Sequence, residues 1–475
     1  MKNFFTRQDS FWGVFASILV LLIFVLGCKK EDGTMKTSES YNPSDPVNIS
    51  DFFPKEGGGG QQLVIYGDNF GNDTSIVHVT IGGKRAIVIN VHDDAIYCLV
   101  PNQAYKGNIE VKVGSGSNQS IVVADTAFAY QRKMVVSTLL GETDDRGNYD
   151  VKNGPFDDCG GIYKPSWLKF DPKDSGLLYI GEDNGGDIRL VNFHDSTVTT
   201  PITTGMGNWS RIRTIDFTLD GNYMIIANDQ TDKNGIATSI LSRANDFKDP
   251  QVLTSYKDCN GAFIHPKTGE LYFNSYEKGQ FFRFDMNKYL SQGDLGIKDY
   301  NELFKIQDVG WEFHIAMAPN GNYAYILVIN KNYILRTDYN WDTKKFMQPY
   351  VVCGKAREAG WVDGVGTEAR LNGPYQGVFV KNPDYAGQKN QYDFYFTEQY
   401  NHDIRILSPD GKVTTFAGRG SSSIDSNPYG YIDGALRTEA RFDQPRGIAY
   451  DARHKIFYIG DCENHRIRKI SMEGK

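Results

Sequence analysis

The sequence is poor in the residues that most often signal redox chemistry or a metal centre. It contains six cysteines and eight histidines among 475 residues. No CxxC pair and no HExxH motif occurs in it. Five cysteines follow Cys28, and an odd number cannot form a complete disulfide framework. Neither a disulfide scaffold nor a zinc knuckle is therefore indicated, and we assign no catalytic residue and no metal ligand.

An excess of positive charge is also absent. The chain carries 51 lysines and arginines against 58 acidic side chains, which gives a formal net charge of −7. A protein that binds nucleic acid usually presents a concentrated positive surface to the phosphate backbone. We therefore expect no nucleic acid partner.

Long apolar runs are confined to the N-terminus. Residues 11–26 are mostly apolar, but this run is shorter than the ~20 residues that span a bilayer as a helix. It follows Lys2 and Arg7 and ends in the residues Val-Leu-Gly before Cys28. This pattern resembles a bacterial lipobox, which implies a signal peptide over residues 1–27 and lipidation of Cys28. Membrane attachment would then need the lipid anchor only, and a plain transmembrane helix is the alternative.

The residues after Cys28 predict where the anchored protein faces. Lys30, Glu31 and Asp32 resemble the surface-export signal of outer-membrane lipoproteins in some Gram-negative bacteria. Residues 28–46 are otherwise polar and read as a flexible tether. We expect an outer-membrane lipoprotein that faces the cell surface, with a periplasm-facing anchor as the alternative.

A first domain is predicted over residues 47–131. Short alternating strand-like runs are separated here by turn residues, a pattern typical of a β-sandwich. Phe53-Pro54, the segment 67–71 (Gly-Asp-Asn-Phe-Gly), Val100-Pro101 and the closing segment 128–130 resemble an IPT/TIG domain. That resemblance implies an immunoglobulin-like fold, which serves more often as a spacer or interaction module than as a catalyst.

Repeats fill the remainder of the chain, residues 132–475. The segments 445–470 and 377–418 closely resemble NHL repeats, and four more divergent copies begin near residues 167, 214, 261 and 314. The resemblance implies four-stranded blades. The last copy lacks its fourth strand, whereas residues 134–140 have the pattern of one. We therefore predict an all-β chain, an Ig-like β-sandwich followed by a six-bladed NHL-type β-propeller whose sixth blade is closed by residues 134–140.

Candidate ligand-binding residues follow from the repeat alignment. Residues just before each innermost strand should surround the mouth of the central channel, where propeller-like rings bind ligands. Aromatic rings can pack on the C–H faces of sugars while planar polar groups bond pairs of hydroxyls. The predicted ligand-binding residues are Trp209, Arg213, Asn260, Trp311, Glu312, Phe313, Tyr375, Gln376, Tyr400 and Arg446.

Other polar motifs have a simpler interpretation. His402 and His465 occupy the same repeat position, which favours a structural hydrogen bond within each blade. The repeated loop phrase that contains Asp363 and Asp433 is interpreted as a brace. Of the histidines, only His314 is predicted to face the axis. A structural cation held by backbone carbonyls in the channel is a possible cofactor.

Three functions remain open from the sequence. The leading one is non-catalytic binding of an extracellular polysaccharide or a partner protein, because the order of anchor, spacer and terminal domain resembles that of surface glycan-binding lipoproteins. The second is a lyase or hydrolase with a metal at the axis beside His314. The third is a scaffold that docks to an outer-membrane protein and binds no ligand.

Overall fold

A computed structural model describes residues 39–230, 235–293, 295–308, 312–419 and 428–474. The predicted signal peptide, Cys28 and the tether up to residue 38 lie outside these ranges. The chain divides into two compact units between Arg132 and Lys133. Within the described ranges, no helix is both long enough and apolar enough to cross a bilayer.

The first unit is a sandwich of two four-stranded antiparallel sheets. One sheet has the order β1-β3-β7-β6 and the other β5-β4-β8-β9, while β2 and β10 form a short parallel pair. The strands are β1 (Asn48–Phe53), β2 (Glu56–Gly57), β3 (Gln62–Asp68), β4 (Val77–Ile81), β5 (Lys84–Arg85), β6 (Ile87–His92), β7 (Ala95–Leu99), β8 (Ile109–Val113), β9 (Ser120–Val123) and β10 (Ala129–Tyr130). Two 3₁₀ turns, Thr74–Ile76 and Gly116–Asn118, connect them.

Alternation of side chains determines which face of each sheet is buried. In β4 the residues Val77, Val79 and Ile81 point inward and the intervening polar residues point outward. Strand β8 shows the same pattern, and Val79 lies opposite Val111 across the pair. Two sheets that bury one apolar face each form the Ig-like sandwich predicted from the sequence.

The second unit contains six antiparallel sheets among its described residues, which we call blades 1 to 6. Strand β11 (Met134–Leu140) precedes blade 1, which has β12 (Gly154–Pro155), β13 (Pro165–Phe170), β14 (Leu177–Glu182), β15 (Ile188–Asn192) and β16 (Thr197–Ile202). Blade 2 has β17 (Ile212–Phe217), β18 (Tyr223–Asn228), β19 (Ile236–Ser242) and β20 (Gln251–Ser255). Blade 3 has β21 (Ala262–Ile264), β22 (Leu271–Ser275), β23 (Gln280–Phe284) and β24 (Tyr300–Lys305).

The other three blades complete the ring. Blade 4 has β25 (Phe313–Met317), β26 (Tyr323–Val328), β27 (Tyr333–Asn340), β28 (Lys345–Phe346) and β29 (Tyr350–Gly354). Blade 5 has β30 (Gly364–Val365), β31 (Pro374–Lys381), β32 (Tyr392–Glu398), β33 (Asp403–Leu407) and β34 (Lys412–Gly418). Blade 6 has β35 (Gly434–Ala435), β36 (Pro445–Asp451), β37 (Ile456–Asp461) and β38 (Arg466–Met472), with β11 as a further strand. The α-helices are α1 (Thr204–Gly207) and α2 (Met286–Gln292), and 3₁₀ turns lie at Arg243–Asn245, Ile329–Lys331, Gly366–Glu368 and Pro383–Tyr385.

The innermost strands form a closed ring. Strands β13, β17, β21, β25, β31 and β36 contact one another in that order, and β36 contacts β13. Strand β11 pairs with β38, with Val136 opposite Ile470, so the start of the unit supplies a strand to its last blade as predicted. This pairing ties the two ends of the unit together and covers the edge of β38. The β-propeller predicted from the repeats is thereby confirmed.

Burial on both faces explains why the repeats read as continuous apolar runs. All six residues of β26 are buried, because each blade packs between two neighbours. Close packing also requires glycine at the last junction of the ring. A Cβ atom on Gly460 would lie 2.1 Å from the carbonyl oxygen of Pro165, so only glycine allows β37 to approach blade 1 this closely.

A buried arginine braces each of blades 5 and 6. Arg405 donates to Asp363 at 2.9 Å, and Asp363 accepts from the Thr415 backbone at 3.1 Å. Arg468 binds Asp433 in the same way, at 2.6 Å. The interpretation of the repeated loop phrase as a brace is thus confirmed for both aspartates.

Candidate functional site

Charged side chains from several blades meet on one face of the propeller. The loops that precede the innermost strands and the turns between second and third strands meet on this face, which we call the loop-rich face. Asp183 follows the second strand of blade 1, and it accepts hydrogen bonds from Arg211 and Arg446, which belong to blades 2 and 6. We call the charged cluster the polar mouth: Asp183, Arg211, Arg213, Asp229, Glu312, Tyr375 and Arg446.

Arg211 joins the three carboxylates of the polar mouth. Its guanidinium donates to Asp183 at 3.0 Å, to Asp229 at 3.3 Å and to Glu312 at 3.0 Å. These three carboxylates come from blades 1, 2 and 4. The side chain keeps 26% of its surface exposed, so Arg211 faces solvent above the buried part of the cluster. A planar guanidinium with several donors can hold carboxylates from different directions in fixed positions.

Arg213 lies one layer deeper and is fully buried. It donates to Glu312 at 2.9 Å and contacts Nε2 of His314 at 3.2 Å. Nδ1 of His314 lies 3.0 Å from the carbonyl oxygen of Tyr375. Since a carbonyl only accepts, Nδ1 carries the proton and Nε2 accepts from Arg213. Both ring nitrogens of His314 are therefore used in structural bonds.

Burial and the neighbouring Arg213 charge lower the pKa of His314 to about 3. The imidazole is consequently neutral at any ordinary pH. A neutral ring with both nitrogens bonded does not exchange protons as a general base would. The role of His314 in this arrangement is to connect the arginine layer to blade 5.

Tyr375 and Arg446 complete the polar mouth on the side of blades 5 and 6. The Tyr375 hydroxyl donates to Asp183 at 3.3 Å, and Arg446 donates to the same carboxylate at 2.9 Å. The guanidinium of Arg446 also lies 5.4 Å from the Tyr375 ring centre and donates to Gln399 at 3.0 Å. Asp183 thus binds groups from three other blades and fixes their relative positions.

The charges of the polar mouth cancel formally. Arg211, Arg213 and Arg446 face Asp183, Asp229 and Glu312. Burial would raise the pKa of Asp183, but Arg213, Arg211 and Arg446 together hold it well below its usual range. The same balance of burial against Arg213 and Arg211 lowers the pKa of Glu312 to about 2. For Asp229 burial prevails, and its pKa is raised. A cluster without formal net charge does not favour a polyanion.

Some polar atoms inside the ring lack a hydrogen bond. Both amide atoms of Asn260 are buried without a hydrogen bond, as are Nε and Nη1 of Arg213. Buried polar atoms without partners usually bind ordered water or a ligand. Asn260 precedes β21 and Arg213 is the second residue of β17, and both lie at the start of adjacent innermost strands. The loop-rich end of the channel therefore offers unused hydrogen-bond donors and an acceptor.

The structure separates the predicted ligand-binding residues into several groups. Arg213, Glu312, Tyr375 and Arg446 come together in the polar mouth, and Asn260 is buried just before β21 of blade 3. Trp209 and Phe313 pack in apolar clusters, with Trp209 Nε1 donating to Ser239 at 2.8 Å. Their buried side chains do not line the mouth. Trp311 lies outside the described residues.

Tyr400 is the exposed aromatic residue at the rim, with 47% of its surface accessible. It follows Gln399 in the turn after β32, and its ring lies over Gly373. A Cβ atom on Gly373, where φ is +73°, would approach Tyr400 Cδ2 to 2.8 Å. Glycine at this position leaves room for the tyrosine ring above the loop that precedes β31.

Gln376 lies below the polar mouth and bridges three innermost strands. Its Nε2 donates to the Leu168 carbonyl at 2.9 Å. Its Oε1 accepts from the amides of Leu168 at 3.0 Å and Ile448 at 2.9 Å. The amide therefore spans the channel between blades 5, 1 and 6, and it does not point freely into the mouth.

The opposite end of the channel contains a cavity of about 550 Å³. The ends of the innermost strands line it, including Phe170, Phe217, Ile264, Met317 and Phe379, with Gln376 among the lining residues. We call it the apolar cavity. The sequence alignment directed attention to the loop-rich end and gave no indication of this space.

The two repeat histidines are structural. His402 accepts from the Gln444 backbone at 3.1 Å, and His465 Nδ1 lies 3.3 Å from the Ile162 carbonyl. Both bonds reach the loop that precedes the next blade, so they connect neighbouring blades, whereas the sequence interpretation placed them within a blade. Among the residues that the structure describes, no group of three or more His, Cys, Asp or Glu side chains could hold a metal ion.

Sequence reasoning missed two of the three acids of the polar mouth. Asp183 and Asp229 each follow the last residue of a second strand, at the same place in blades 1 and 2. A signal was present, because the turn after the second strand faces the same end as the loop before the first. Aligning those turns, and not only the positions before the innermost strands, would have found both aspartates.

Two family models match the chain. The IPT/TIG domain matches residues 46–130, and the NHL repeat matches residues 442–470. The first lies within the sandwich and the second within blade 6. These matches agree with the resemblances found in the sequence.

Several solved structures are similar over almost the whole chain. An auxiliary nutrient binding protein from Bacteroides thetaiotaomicron VPI-5482 is 47% identical with a TM-score of 0.85, covering 92% of this chain and 100% of its own. A second protein from that organism, with a provisional phosphatase name, is 43% identical with a TM-score of 0.82 over 92% of this chain and 100% of its own. An auxiliary nutrient binding protein from Bacteroides ovatus ATCC 8483 is 39% identical with a TM-score of 0.69, covering 91% and 100%.

Curated relatives match a smaller region. NHL repeat-containing protein 2 from Bos taurus is 32% identical over 117 residues, which are 24% of this chain. The match spans only 14% of the length of that relative. It therefore concerns only a part of each protein.

Proposed function

Because this chain belongs to the family of two-domain TIG and NHL proteins that includes these Bacteroides structures, we propose that it is a surface lipoprotein that binds an extracellular polysaccharide. The binding site would be the polar mouth and its rim on the loop-rich face. The names of two relatives, auxiliary nutrient binding proteins, support a binding role without catalysis.

The observation that carries the proposal is the composition of the polar mouth. Buried guanidinium and carboxylate groups without formal net charge surround the channel, with Arg211 and Glu312 each 26% exposed. Neighbouring sugar hydroxyls both donate and accept, so they match such pairs of planar groups. The exposed ring of Tyr400 supplies a flat apolar surface at the rim.

The atoms without a hydrogen bond add a second layer of recognition. The Asn260 amide atoms and Nε of Arg213 are buried without a hydrogen bond, and Nη1 of Arg213 has only a longer ion pair, 3.6 Å from Asp229. Ordered water would relay their hydrogen bonds to a ligand in the mouth. A hydroxyl-rich ligand profits from such a relay, whereas an apolar one does not.

A hydrolase at the same place is the second candidate, because one relative carries a provisional phosphatase name. It would need a group that transfers a proton or activates water. His314 is occupied at both nitrogens and stays neutral down to a pKa of about 3. This arrangement favours binding over catalysis.

The test is affinity electrophoresis of residues 39–475, the folded segment, which contains every described strand of both units. The protein would migrate through gels that each hold one soluble plant or host polysaccharide. We expect retention by at least one glycan and loss of that retention in Tyr400→Ala and Glu312→Gln. Tyr350→Ala is the matched control, since Tyr350 is 50% exposed on the outer strand β29.

The outcomes distinguish the candidate functions of the polar mouth. Retention by no glycan, or unchanged retention in both mouth variants, would refute the proposal. Co-purification of an outer-membrane protein with the full-length chain, lost in Tyr400→Ala, would assign the mouth to a protein partner. Turnover of a phosphate ester that disappears in Glu312→Gln would assign it to a hydrolase, and loss of that turnover on metal chelation would show that the hydrolase needs a metal.

Anchoring is tested separately. Lipidation at Cys28 predicts incorporation of radioactive palmitate into the wild-type chain and none into Cys28→Ser. Surface display predicts that protease added to intact cells digests the protein. Protection of the protein until the outer membrane is opened would instead show a periplasm-facing anchor.

A further inference from the structure

The apolar cavity lies at the end of the channel away from the polar mouth, and its wall repeats around the ring. Each blade contributes the residues at the end of its innermost strand. Phe217 and Ile264 are each only 5% exposed, whereas Phe170, Met317 and Tyr450 are half-buried. These six strand ends therefore enclose a concave, largely apolar space.

Gln376 and Trp167 line the apolar cavity and offer it no free polar group. Trp167 Nε1 donates to the Ile215 carbonyl at 3.0 Å. The Gln376 amide is bonded to Leu168 and Ile448, as described above. Both residues line the cavity, so a ligand there would contact side chains whose polar atoms already have hydrogen bonds.

The charge in the wall is balanced. Lys169 Nζ lies 2.7 Å from Asp216, and the second carboxylate oxygen of Asp216 accepts from the Ile264 amide at 2.7 Å. The pair has no formal net charge, and its acid is only 13% exposed. A charged ligand would find no uncompensated partner in this wall, whereas an uncharged one loses little on entering it.

The volume sets the size of the occupant. Pockets for small molecules measure about 300–1,000 Å³ and are lined mainly by apolar and aromatic side chains. The value of about 550 Å³ falls within this range. It suits one molecule of two or three linked rings.

We propose that the apolar cavity is a second binding site of this chain, which holds one small, uncharged and largely apolar molecule. The driving force is removal of apolar surface from water on both sides. The site is independent of the polysaccharide site, because it is lined by other residues and has the opposite polarity.

The experiment titrates the folded segment with the uncharged probe N-phenyl-1-naphthylamine and follows its fluorescence. We expect saturation at one probe per chain. Ala316→Trp and Val378→Trp place large side chains in the wall of the cavity from two different blades, and each should weaken binding at least tenfold. Should either variant fail to fold by circular dichroism, Met317→Gln makes the wall polar at similar volume, and we expect it to weaken binding as well.

Two controls locate the probe. Ile89, 54% exposed, lines a smaller groove on the first unit, so Ile89→Asp should leave the titration unchanged. Val365→Trp adds a tryptophan at a surface residue of blade 5 that is 58% exposed and should also have no effect. The anionic probe 8-anilinonaphthalene-1-sulfonate should bind more weakly than the uncharged one.

The proposal is overturned if the probe does not saturate, or if it binds the folded cavity variants as tightly as the wild type. Loss of binding in Ile89→Asp would assign the probe to the first unit. Tighter binding of the anionic probe would contradict an uncharged ligand. A dimer that disappears in Ala316→Trp would show that a second copy occupies the cavity instead.

Discussion

The two ends of the propeller channel are built from the same six strands, yet they differ in charge, packing and space. At the loop-rich end, arginines and carboxylates from separate blades fill the centre of the ring. At the opposite end, aromatic and aliphatic strand ends leave about 550 Å³ open. The strands themselves do not cause this difference. It comes from the residues at the start of each innermost strand at one end of the channel, and from the residues at the end of each strand at the other.

The comparison also shows how the two ends are kept apart. Gln376 satisfies the backbone of blades 1 and 6 between them, and His314 connects the arginine layer to blade 5. The polar mouth therefore depends on exact pairing of buried groups, whereas the apolar cavity does not. Substitutions at the two ends should consequently lower the free energy of unfolding by different amounts.

The largest effect is expected for Arg213→Met in the polar mouth. The change leaves Glu312 and Asp229 in a buried site without one of their two cations, so the free energy of unfolding should fall by about 3–5 kcal/mol. Urea unfolding of the folded segment measures it. All of its tryptophans lie in the second unit, so their fluorescence reports that unit alone. A loss below about 1 kcal/mol would show that the buried pairs contribute little.

Gln376→Ala should rank second, because it removes the bridge between the two ends. Three hydrogen bonds to Leu168 and Ile448 are lost, and the free energy of unfolding should fall by about 3 kcal/mol at about 1 kcal/mol for each bond. Hydrogen exchange at the amides of Leu168 and Ile448 should accelerate together. Unchanged exchange at both amides would contradict the bridging role.

The pH dependence of stability tests His314. Its pKa is about 3 in the folded protein and near 6.5 when unfolded, so the unfolded state binds the proton first as the pH falls. The stability from this group is complete above pH 6.5 and is lost as the pH falls towards 3. Between pH 6.5 and pH 5 the loss should be about 2 kcal/mol, at 1.36 kcal/mol per pH unit.

His314→Gln is the matched variant, since glutamine can donate to Tyr375 and accept from Arg213 without titrating. Its stability should fall less steeply than that of the wild type over this range, whatever the other histidines contribute to both. Urea unfolding at several pH values gives the two profiles. Parallel profiles would show that His314 is not the titrating group.

The smallest effect is expected for Lys169→Met at the apolar cavity. Lys169 pairs with Asp216 but keeps 40% of its side chain exposed, and such pairs contribute about 0–1 kcal/mol. Asp216 still accepts from the Ile264 amide after the change. Urea unfolding of Lys169→Met and Arg213→Met in parallel compares the two ends directly. Equal losses of the free energy of unfolding in the two variants would contradict the expected difference.

The fold followed from sequence because its signals are local and repeated. Alternating valines and isoleucines marked β4 and β8, and the strand pattern at residues 134–140 predicted the pairing of β11 with β38. Repetition also predicted the braces of Asp363 and Asp433. Each of these signals depends on a few neighbouring residues.

The site was harder to predict because it depends on contacts between blades. The alignment located Arg213, Glu312, Tyr375 and Arg446 at the mouth, but it could not show that Trp209 and Phe313 turn into apolar clusters. Nothing local identified Asp183 as the common partner of blades 2, 5 and 6. The apolar cavity depends on how far six strand ends stay apart, which no single repeat encodes.

Retention by a polysaccharide, compared in one gel for Tyr400→Ala and Ala316→Trp, tests the central claim most directly. Tyr400 marks the rim of the polar mouth, and Ala316 lies in the wall of the apolar cavity. We predict that Tyr400→Ala migrates freely while Ala316→Trp is retained like the wild type. Free migration of Ala316→Trp with full retention of Tyr400→Ala would contradict the claim that the loop-rich end binds the polysaccharide.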